Sequence, residues 1–240
     1  MKDNKMKIEI WSDIVCPFCY IGKRQFDEAL ALFKHRDEVE VVWHSYQLFP
    51  DYEQKEGSDF YTEVGRLKGN NREWSICFHN QITEHARRVG LEYNFEKIPF
   101  PNTFNAHRFS LYAKTKGVQH EAEEKLFRAY FTEGRNIGDL EVLAQLGEEI
   151  DLPNADVREA LSGNQFSQLV RKDIAEAQRI GVNGVPFFLI NGELAVAGAQ
   201  DPNGFVKVLN RAWEKWSIEN HKALIGIVEG TTCDVQGNCK

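Results

Sequence analysis

The chain has 240 residues, a formal net charge of −7 and a hydrophobic fraction of 42%, to which 16 phenylalanines contribute. This length suits one packed domain with a large insertion. The negative charge argues against nucleic acid or an anionic membrane as a partner, because both bind basic surfaces. No stretch approaches the ~20 apolar residues of a membrane span, and residues 1–6 lack the apolar segment of a secretory signal. We therefore expect a cytoplasmic protein.

The first predicted element is a strand over residues 6–11, where apolar and polar side chains alternate. The sequence Cys16-Pro17-Phe18-Cys19 follows it closely. Beyond it, apolar residues recur at the spacing of a helix, namely Ile21, Phe26, Ala29, Leu30 and Phe33. Cys16 therefore falls at or near the N-cap of a helix. Pro17 occupies the first helical position, where its missing N–H costs nothing.

This placement makes Cys16 and Cys19 candidates for a reversible dithiol–disulfide pair. The free N–H groups and the positive end of the helix dipole favour negative charge on the Cys16 sulfur. Cys19 lies almost one turn further into the helix and is expected to be more buried. We therefore predict that Cys16 attacks a substrate disulfide and that Cys19 resolves the mixed disulfide.

Two other uses of a Cys-x-x-Cys sequence fit less well. A zinc half-site needs a second pair of ligands, and a proline between the cysteines at a helix start is unusual for one. A purely structural disulfide across so short a loop would constrain the unfolded chain little. We therefore predict a redox pair and no metal site.

A second strand, Val39–Ser45, is predicted to lie parallel to the first, connected through the helix that follows Cys16 by a right-handed crossover. A mainly helical stretch comes next, with predicted helices over residues 81–89, 104–115, 121–131, 140–149 and 165–180. Asn102 suits the N-cap of the second of these helices, and His107 lies in its first turn.

The late segment 181–193 contains a glycine-rich loop, a proline, an apolar strand and an Asn-Gly turn, and residues 194–199 complete a hairpin. Pro186 has no N–H to donate, which places it at the first residue of its strand. A cis bond before Pro186 would expose the backbone of Val185 to an extended substrate peptide. A trans bond would only mark the strand boundary. A last helix over residues 203–216 would cover the sheet.

Three of the five cysteines lie outside this motif. Cys77 belongs to a helical pattern and is predicted to be a small buried core residue. Cys233 and Cys239 lie near the C-terminus, and the five residues between them include a Gly-Asn turn that lets the thiols meet. They could form a second redox pair that exchanges electrons with the first, a terminal disulfide, or an unpaired tail.

Several segments together resemble the DsbA-type thioredoxin-fold oxidoreductases, and specifically their FrnE-like branch. These segments are SDIVCPFCYIG at 12–22, NTFNAHR at 102–108, AYFTEGRNI at 129–137, GVPFF at 184–188 and VAGAQ at 196–200. The similarity spans about residues 6–215. No single segment is specific for this family, but the combination of all five is. It implies a cis Pro186 that faces Cys16, with Val185 before it. Some FrnE-like proteins also carry a C-terminal cysteine pair similar to Cys233 and Cys239.

The resemblance also implies that Asn102, Asn105 and His107 lie near the dithiol, as candidate substrate-binding residues. His107 could assist proton transfer, because Cys19 must lose a proton before it attacks. The alternative interpretation makes Asn102 a helix cap and His107 a packed or solvated side chain.

The same superfamily contains glutathione-dependent isomerases and kappa-class glutathione transferases. They resemble the chain in the proline loop and in the helix with asparagine and histidine, but they carry serine where Cys16 stands. A serine can only help to activate a bound glutathione thiolate, whereas a cysteine pair can exchange electrons.

We therefore predict an α/β protein with a thioredoxin fold and a large α-helical insertion. Its thioredoxin-like domain would comprise residues 1–54 and 176–218, with a helical domain inserted at 55–175 and a tail at 219–240. The predicted function is thiol–disulfide oxidoreductase or isomerase activity on protein or small-molecule thiols, with no cofactor except glutathione as a co-substrate. The alternative is a glutathione-dependent isomerase or transferase, and a weaker one is a chaperone-like peptide binder.

Overall fold

The computed structural model describes residues 5–53 and 57–221. Within these ranges, four strands form one sheet in the order β2-β1-β3-β4. They are β1 (Met6–Ser12), β2 (Val39–Ser45), β3 (Phe187–Ile190) and β4 (Leu194–Ala197). β1 pairs with β2 in parallel and with β3 in antiparallel, and β3 and β4 form a hairpin. The predicted strands are confirmed, except that β1 ends one residue later, β3 begins after Pro186 and β4 ends at Ala197.

Nine α-helices belong to the described residues: α1 (Pro17–Leu32), α2 (Phe60–Leu67), α3 (Arg72–Arg88), α4 (Phe104–Thr115), α5 (Gln119–Phe131), α6 (Leu140–Glu148), α7 (Asn154–Ser162), α8 (Ser167–Arg179) and α9 (Pro202–His221). Seven of them, α2 to α8, separate β2 from β3 in the chain. This arrangement confirms the thioredoxin-like α/β fold with a large helical segment. The sequence did not predict α2 or α7, and α3 begins nine residues before its predicted start. None of these helices is long and apolar enough to cross a membrane.

The sheet is packed on both faces. On one face, α1 and α9 meet the strands through Phe26, Phe188 and Phe205, whose ring centroids lie 4.7 to 5.6 Å apart. On the other face, Trp11 lies below α8 and donates a hydrogen bond from its Nε1 to the backbone oxygen of Asp173 at 3.2 Å. These contacts fix the end of β1, from which the chain continues to Cys16.

The helices share a second core that reaches the dithiol. Cys16 and Cys19 belong to this cluster, and the ring of Tyr20 stacks on that of Phe127 with centroids 5.1 Å apart. The first turn of α1 therefore lies between the sheet and the helical segment. The division into domains at residues 54, 175 and 218 stays a prediction.

One close helix contact predicts a large effect on stability. At Gly65 in α2, an added Cβ would lie 2.6 Å from the backbone oxygen of Asn71 and 2.9 Å from its carbonyl carbon. Backbone atoms cannot move aside as a flexible side chain can, so Gly65→Ala should destabilise the fold by about 2 kcal/mol. Urea denaturation measures the effect. Gly163→Ala is the control, because an added Cβ there meets no atom within 4 Å; equal midpoints for the two variants would contradict the prediction.

Candidate active site

The two cysteines lie at the start of α1. Cys16 is the N-cap residue and Pro17 occupies the first turn, as the sequence predicted. The amide of Cys16 donates to the backbone oxygen of Asp13, and the amide of Cys19 donates to that of Cys16, both at 3.0 Å. Cys16 is 5% exposed and Cys19 is 1% exposed, and both are free thiols. The motif is therefore a tight, buried turn with Cys16 on its more accessible side.

A cis-proline loop faces Cys16. The peptide bond between Val185 and Pro186 is cis, as the resemblance implied. The Cys16 sulfur donates to the backbone oxygen of Val185 at 3.5 Å. Space for the loop comes from Gly22, where an added Cβ would lie 3.0 Å from Cγ of Pro186. Segments 169 residues apart in the chain thus meet at the Cys16 sulfur.

The environment of Cys19 differs from that of Cys16. Burial raises the pKa of the Cys19 thiol well above its usual value, and the neighbouring Cys16 adds to this rise. The side chain of Ser12 and the backbone of Asp13 oppose it. Cys19 is therefore a protonated thiol at neutral pH and needs a base before it can act as a nucleophile.

A buried carboxylate and an imidazole lie beside the motif. Asp13 is fully buried, and its Oδ2 accepts a hydrogen bond from the amide of Leu48 at 2.7 Å. Its Oδ1 lies 3.4 Å from Nε2 of His107, which is 2% exposed. Neither of these two atoms has a hydrogen-bond partner among the described residues. The pair can therefore hold or exchange a proton next to the backbone that contacts Cys19.

Asn102 anchors a loop close to this pair. Its Oδ1 accepts hydrogen bonds from the amide of Phe104 at 2.9 Å and from the side chain of Gln47 at 3.0 Å. Its Nδ2 donates to the backbone oxygens of Pro50 and Tyr52. The side chain thus joins the loop after β2 to the start of α4, although Thr103 is the N-cap residue. A role in substrate binding stays a prediction.

Asn105 lies at the edge of an open cavity. Its Oδ1 accepts a hydrogen bond from Nη1 of Arg108 at 3.0 Å. The cavity has a volume of about 470 Å³ and is lined by Pro101, Asn102, Phe104, Asn105, Asn136, Gly138 and Asp139. Neither cysteine of the motif is among these lining residues. Substrate binding by Asn105 also stays a prediction.

The predictions for the cysteines outside the motif differ in outcome. The prediction that Cys77 is buried is wrong, because the structure places it on the exposed side of α3. Cys233 and Cys239 lie outside the described residues. Within residues 5–53 and 57–221, no group of three or more His, Cys, Asp or Glu side chains could hold a metal ion.

Sequence reasoning missed two residues at this site. Asp13 lies three positions before Cys16, inside the segment that carried the resemblance, but nothing in the pattern indicated a buried carboxylate. Tyr93 lies 76 residues from the motif and donates a hydrogen bond to the backbone oxygen of Pro17. No local signal in the sequence indicates this contact.

The sheet order, the cysteine pair at the start of a helix and the cis-proline loop together define a thioredoxin-fold dithiol protein. The chain belongs to the family of the DsbA-like thioredoxin domain, whose profile matches residues 7–210. It is 30% identical over 210 residues to YwbO of Bacillus subtilis (strain 168), covering 87% of this chain and 98% of YwbO.

Two solved structures show the same fold. A probable DsbA oxidoreductase from Streptomyces coelicolor is 32% identical, with a TM-score of 0.82 over 98% of each chain. The cytosolic disulfide reductase DsbM from Pseudomonas aeruginosa is 17% identical, with a TM-score of 0.62 over 87% of this chain and 99% of DsbM. DsbM has also been solved with glutathione.

Proposed function

We propose that this protein is a thiol–disulfide oxidoreductase whose nucleophile is Cys16 and whose resolving thiol is Cys19. The observation that carries the proposal is the position of the Cys16 sulfur, at the N-cap of α1 and 3.5 Å from the backbone oxygen of Val185. An extended peptide that paired with the backbone of Val185 would bring its own disulfide to this sulfur. The family and the similar Streptomyces oxidoreductase support this function.

The proposed reaction has two exchange steps. The Cys16 thiolate attacks one sulfur of the substrate disulfide, the substrate S–S bond breaks, and one substrate thiolate leaves as a mixed disulfide forms. Cys19 then loses its proton and attacks the Cys16 sulfur, which releases the second substrate thiolate. The substrate gains two electrons and the protein gains a Cys16–Cys19 disulfide. The same steps in reverse oxidise a substrate dithiol.

The proton of Cys19 needs an acceptor in this scheme. Burial keeps Cys19 protonated, and the Asp13–His107 pair lies next to the backbone that contacts its sulfur. We assign proton acceptance to this pair, which extends the role predicted for His107 alone. Because the pair is almost completely buried, bulk water cannot readily replace it as the acceptor of the Cys19 proton.

Glutathione is the proposed small-molecule partner. The glutathione-bound structure of DsbM, which shares the fold, is consistent with it. The alternative function, activation of glutathione for isomerisation or transfer, needs Cys16 alone. The two functions can therefore be distinguished by whether activity depends on Cys19: disulfide exchange requires Cys19, and glutathione activation does not.

Three finer assignments belong to the same proposal. The chain is placed in the FrnE-like branch on the motifs quoted above, and Cys233 and Cys239 are assigned as a second redox pair. Location in the cytoplasm is proposed from the sequence alone. Each can be tested without reference to the others.

A glutathione redox titration tests the proposed function. We expect a reversible two-electron transition of Cys16 and Cys19 near or above the cytosolic potential, which lies at roughly −220 to −320 mV. The double variant Cys233→Ser/Cys239→Ser, titrated in parallel, shifts this transition if the tail exchanges electrons with the motif. If no reversible Cys16–Cys19 disulfide forms, the exchange mechanism is wrong and glutathione-adduct chemistry becomes the leading interpretation.

A further inference from the structure

Tyr93 makes a long-range contact with the cysteine motif. Its hydroxyl donates a hydrogen bond of 2.7 Å to the backbone oxygen of Pro17, which lies between Cys16 and Cys19. The helix pairs the same oxygen with the amide of Ile21, and this amide also lies against the Tyr93 hydroxyl. The phenol therefore joins a backbone hydrogen bond in the first turn of α1 from the side of the helical segment.

The ring of Tyr93 is held rigidly in the helical core. It is 5% exposed and stacks on Phe131, with centroids 4.5 Å apart, and on Tyr20 at 6.1 Å. The next residue, Asn94, ties the segment to the end of α5, because its amide donates to the backbone oxygen of Phe131 at 2.8 Å. Its side chain also donates to the backbone oxygen of Thr132 at 2.8 Å. The hydroxyl is thus fixed with respect to the motif.

The protonation state of the Tyr93 hydroxyl suits a hydrogen-bond donor. Burial, followed by the charge of Cys16, raises the pKa of the phenol well above its usual value. The phenol therefore keeps its proton throughout the range in which thiols ionise, and it continues to donate to Pro17.

We propose that Tyr93 is a positioning residue that makes the Cys16–Cys19 pair more oxidising through its hydrogen bond to the Pro17 carbonyl. This inference rests on the proposed function. A hydrogen bond to a peptide oxygen polarises the whole peptide group, so the amide of Phe18 on the other side of that peptide becomes a stronger donor. The second and third amides of a helix are the ones that point to an N-cap acceptor.

The consequence for Cys16 follows from its place at the N-cap. A negative sulfur there is stabilised by the amides of the first turn, and stronger donors stabilise it further. A more stable thiolate favours the reduced pair over the disulfide, which makes the protein a stronger oxidant. Tyr93 touches neither reacting sulfur in this scheme and acts only through the backbone of the motif.

Tyr93→Phe tests this role because it removes one oxygen and keeps the ring. The carbonyl of Pro17 keeps its helical partner, so the fold should survive, and a thermal melt checks this. In a glutathione titration we expect the equilibrium to move about threefold toward the disulfide, equivalent to about 14 mV more negative. The rate at which iodoacetamide alkylates Cys16 at neutral pH should fall by a similar factor, because only the thiolate reacts.

Tyr112→Phe is the matched control. Tyr112 in α4 is also buried, and its hydroxyl has no hydrogen-bond partner among the described residues. Its loss should leave the titration and the alkylation rate unchanged. An unchanged potential in Tyr93→Phe, or a shift to a less negative value, would overturn the proposal. If the wild-type protein forms no reversible disulfide, the proposed function itself fails, and this result is distinct from any effect of Tyr93.

Discussion

Cys16→Ser is expected to abolish thiol–disulfide exchange, whereas Cys19→Ser should stop the reaction after the first step. Without the Cys16 sulfur no mixed disulfide can form, so the turnover of a disulfide-containing peptide should fall by roughly 10³-fold or more, as for other catalytic nucleophiles. Without Cys19, the first attack still occurs and the mixed disulfide accumulates. Mass spectrometry of the acid-quenched reaction should show the peptide bound to Cys16 in this variant only.

Cys77→Ser is the control for these two variants. Cys77 is an exposed thiol on α3, so its loss tests whether exchange at the protein surface contributes to the signal. We expect this variant to turn over like the wild-type protein. Full turnover by Cys19→Ser would contradict the two-step scheme and would favour glutathione activation by Cys16 alone.

The sequence predicted the site best where the motif and its local structure depend on neighbouring residues. The alternating strand before the motif, the proline after Cys16 and the apolar helical spacing are all local, and they placed Cys16 at the N-cap, where the structure has it. The contact between Cys16 and Val185 is not local. It came from the resemblance, because a cis bond at Pro186 cannot be distinguished from a trans bond by its neighbours alone.

The prediction for Cys77 failed for a reason that helical geometry makes clear. The buried residues of α3 are Ser75, His79, Ile82 and Ala86, which recur at intervals of three and four. Cys77 lies five positions before Ile82, about 140° away around the helix at 3.6 residues per turn. The apolar residues Ile82 and Ala86, which follow Cys77 in the helical pattern, therefore lie on a different face of α3. The spacing, counted from Ile82, would have predicted exposure.

Burial of polar groups was the part of the site that the sequence could not indicate. Aspartate and tyrosine usually lie at the surface or at its boundary, so the residue type alone does not predict that Asp13 and Tyr93 are buried. Asp13 is buried because the loop after β2 covers it and the Leu48 amide satisfies one of its oxygens. Tyr93 reaches Pro17 only because α3, α4 and α5 bring a distant loop to the motif. Both contacts depend on the complete fold.

Asp13→Asn is expected to slow the second step of the reaction without slowing the first. The asparagine keeps an oxygen that can accept from the amide of Leu48, but it removes the carboxylate that lies 3.4 Å from His107. Loss of the carboxylate from the proton-accepting pair should reduce the rate at which Cys19 resolves the mixed disulfide by roughly 10- to 100-fold, within or just below the usual range for general-base catalysis. The first attack by Cys16 needs no proton from Cys19 and should not slow.

The pH dependence distinguishes proton acceptance from a loss of packing. Burial raises the pKa of Cys19, so its thiol is protonated at neutral pH. If acceptance by the pair requires the Asp13 carboxylate, hydroxide must remove the proton in the variant. In Asp13→Asn the resolution rate should therefore rise about tenfold per pH unit while the pH stays below the pKa of Cys19, and the wild-type rate should rise less steeply. Stopped-flow measurement of peptide release from a preformed mixed disulfide gives this rate directly.

Asp27→Asn is the matched control, because it removes a second carboxylate that is paired with a histidine. Asp27 lies further along α1, and its Oδ1 is 3.2 Å from Nε2 of His120. Its loss perturbs an Asp–His pair whose aspartate lies on the helix that carries Cys19 and whose histidine lies on α5. Among the described residues, no hydrogen bond or ion pair joins Asp27 or His120 to either sulfur. We expect normal resolution with the wild-type pH profile in this variant. Equal slowing in Asp13→Asn and Asp27→Asn, or equal slowing of both steps in Asp13→Asn, would mean that Asp13 supports the fold of α1 and does not accept the proton.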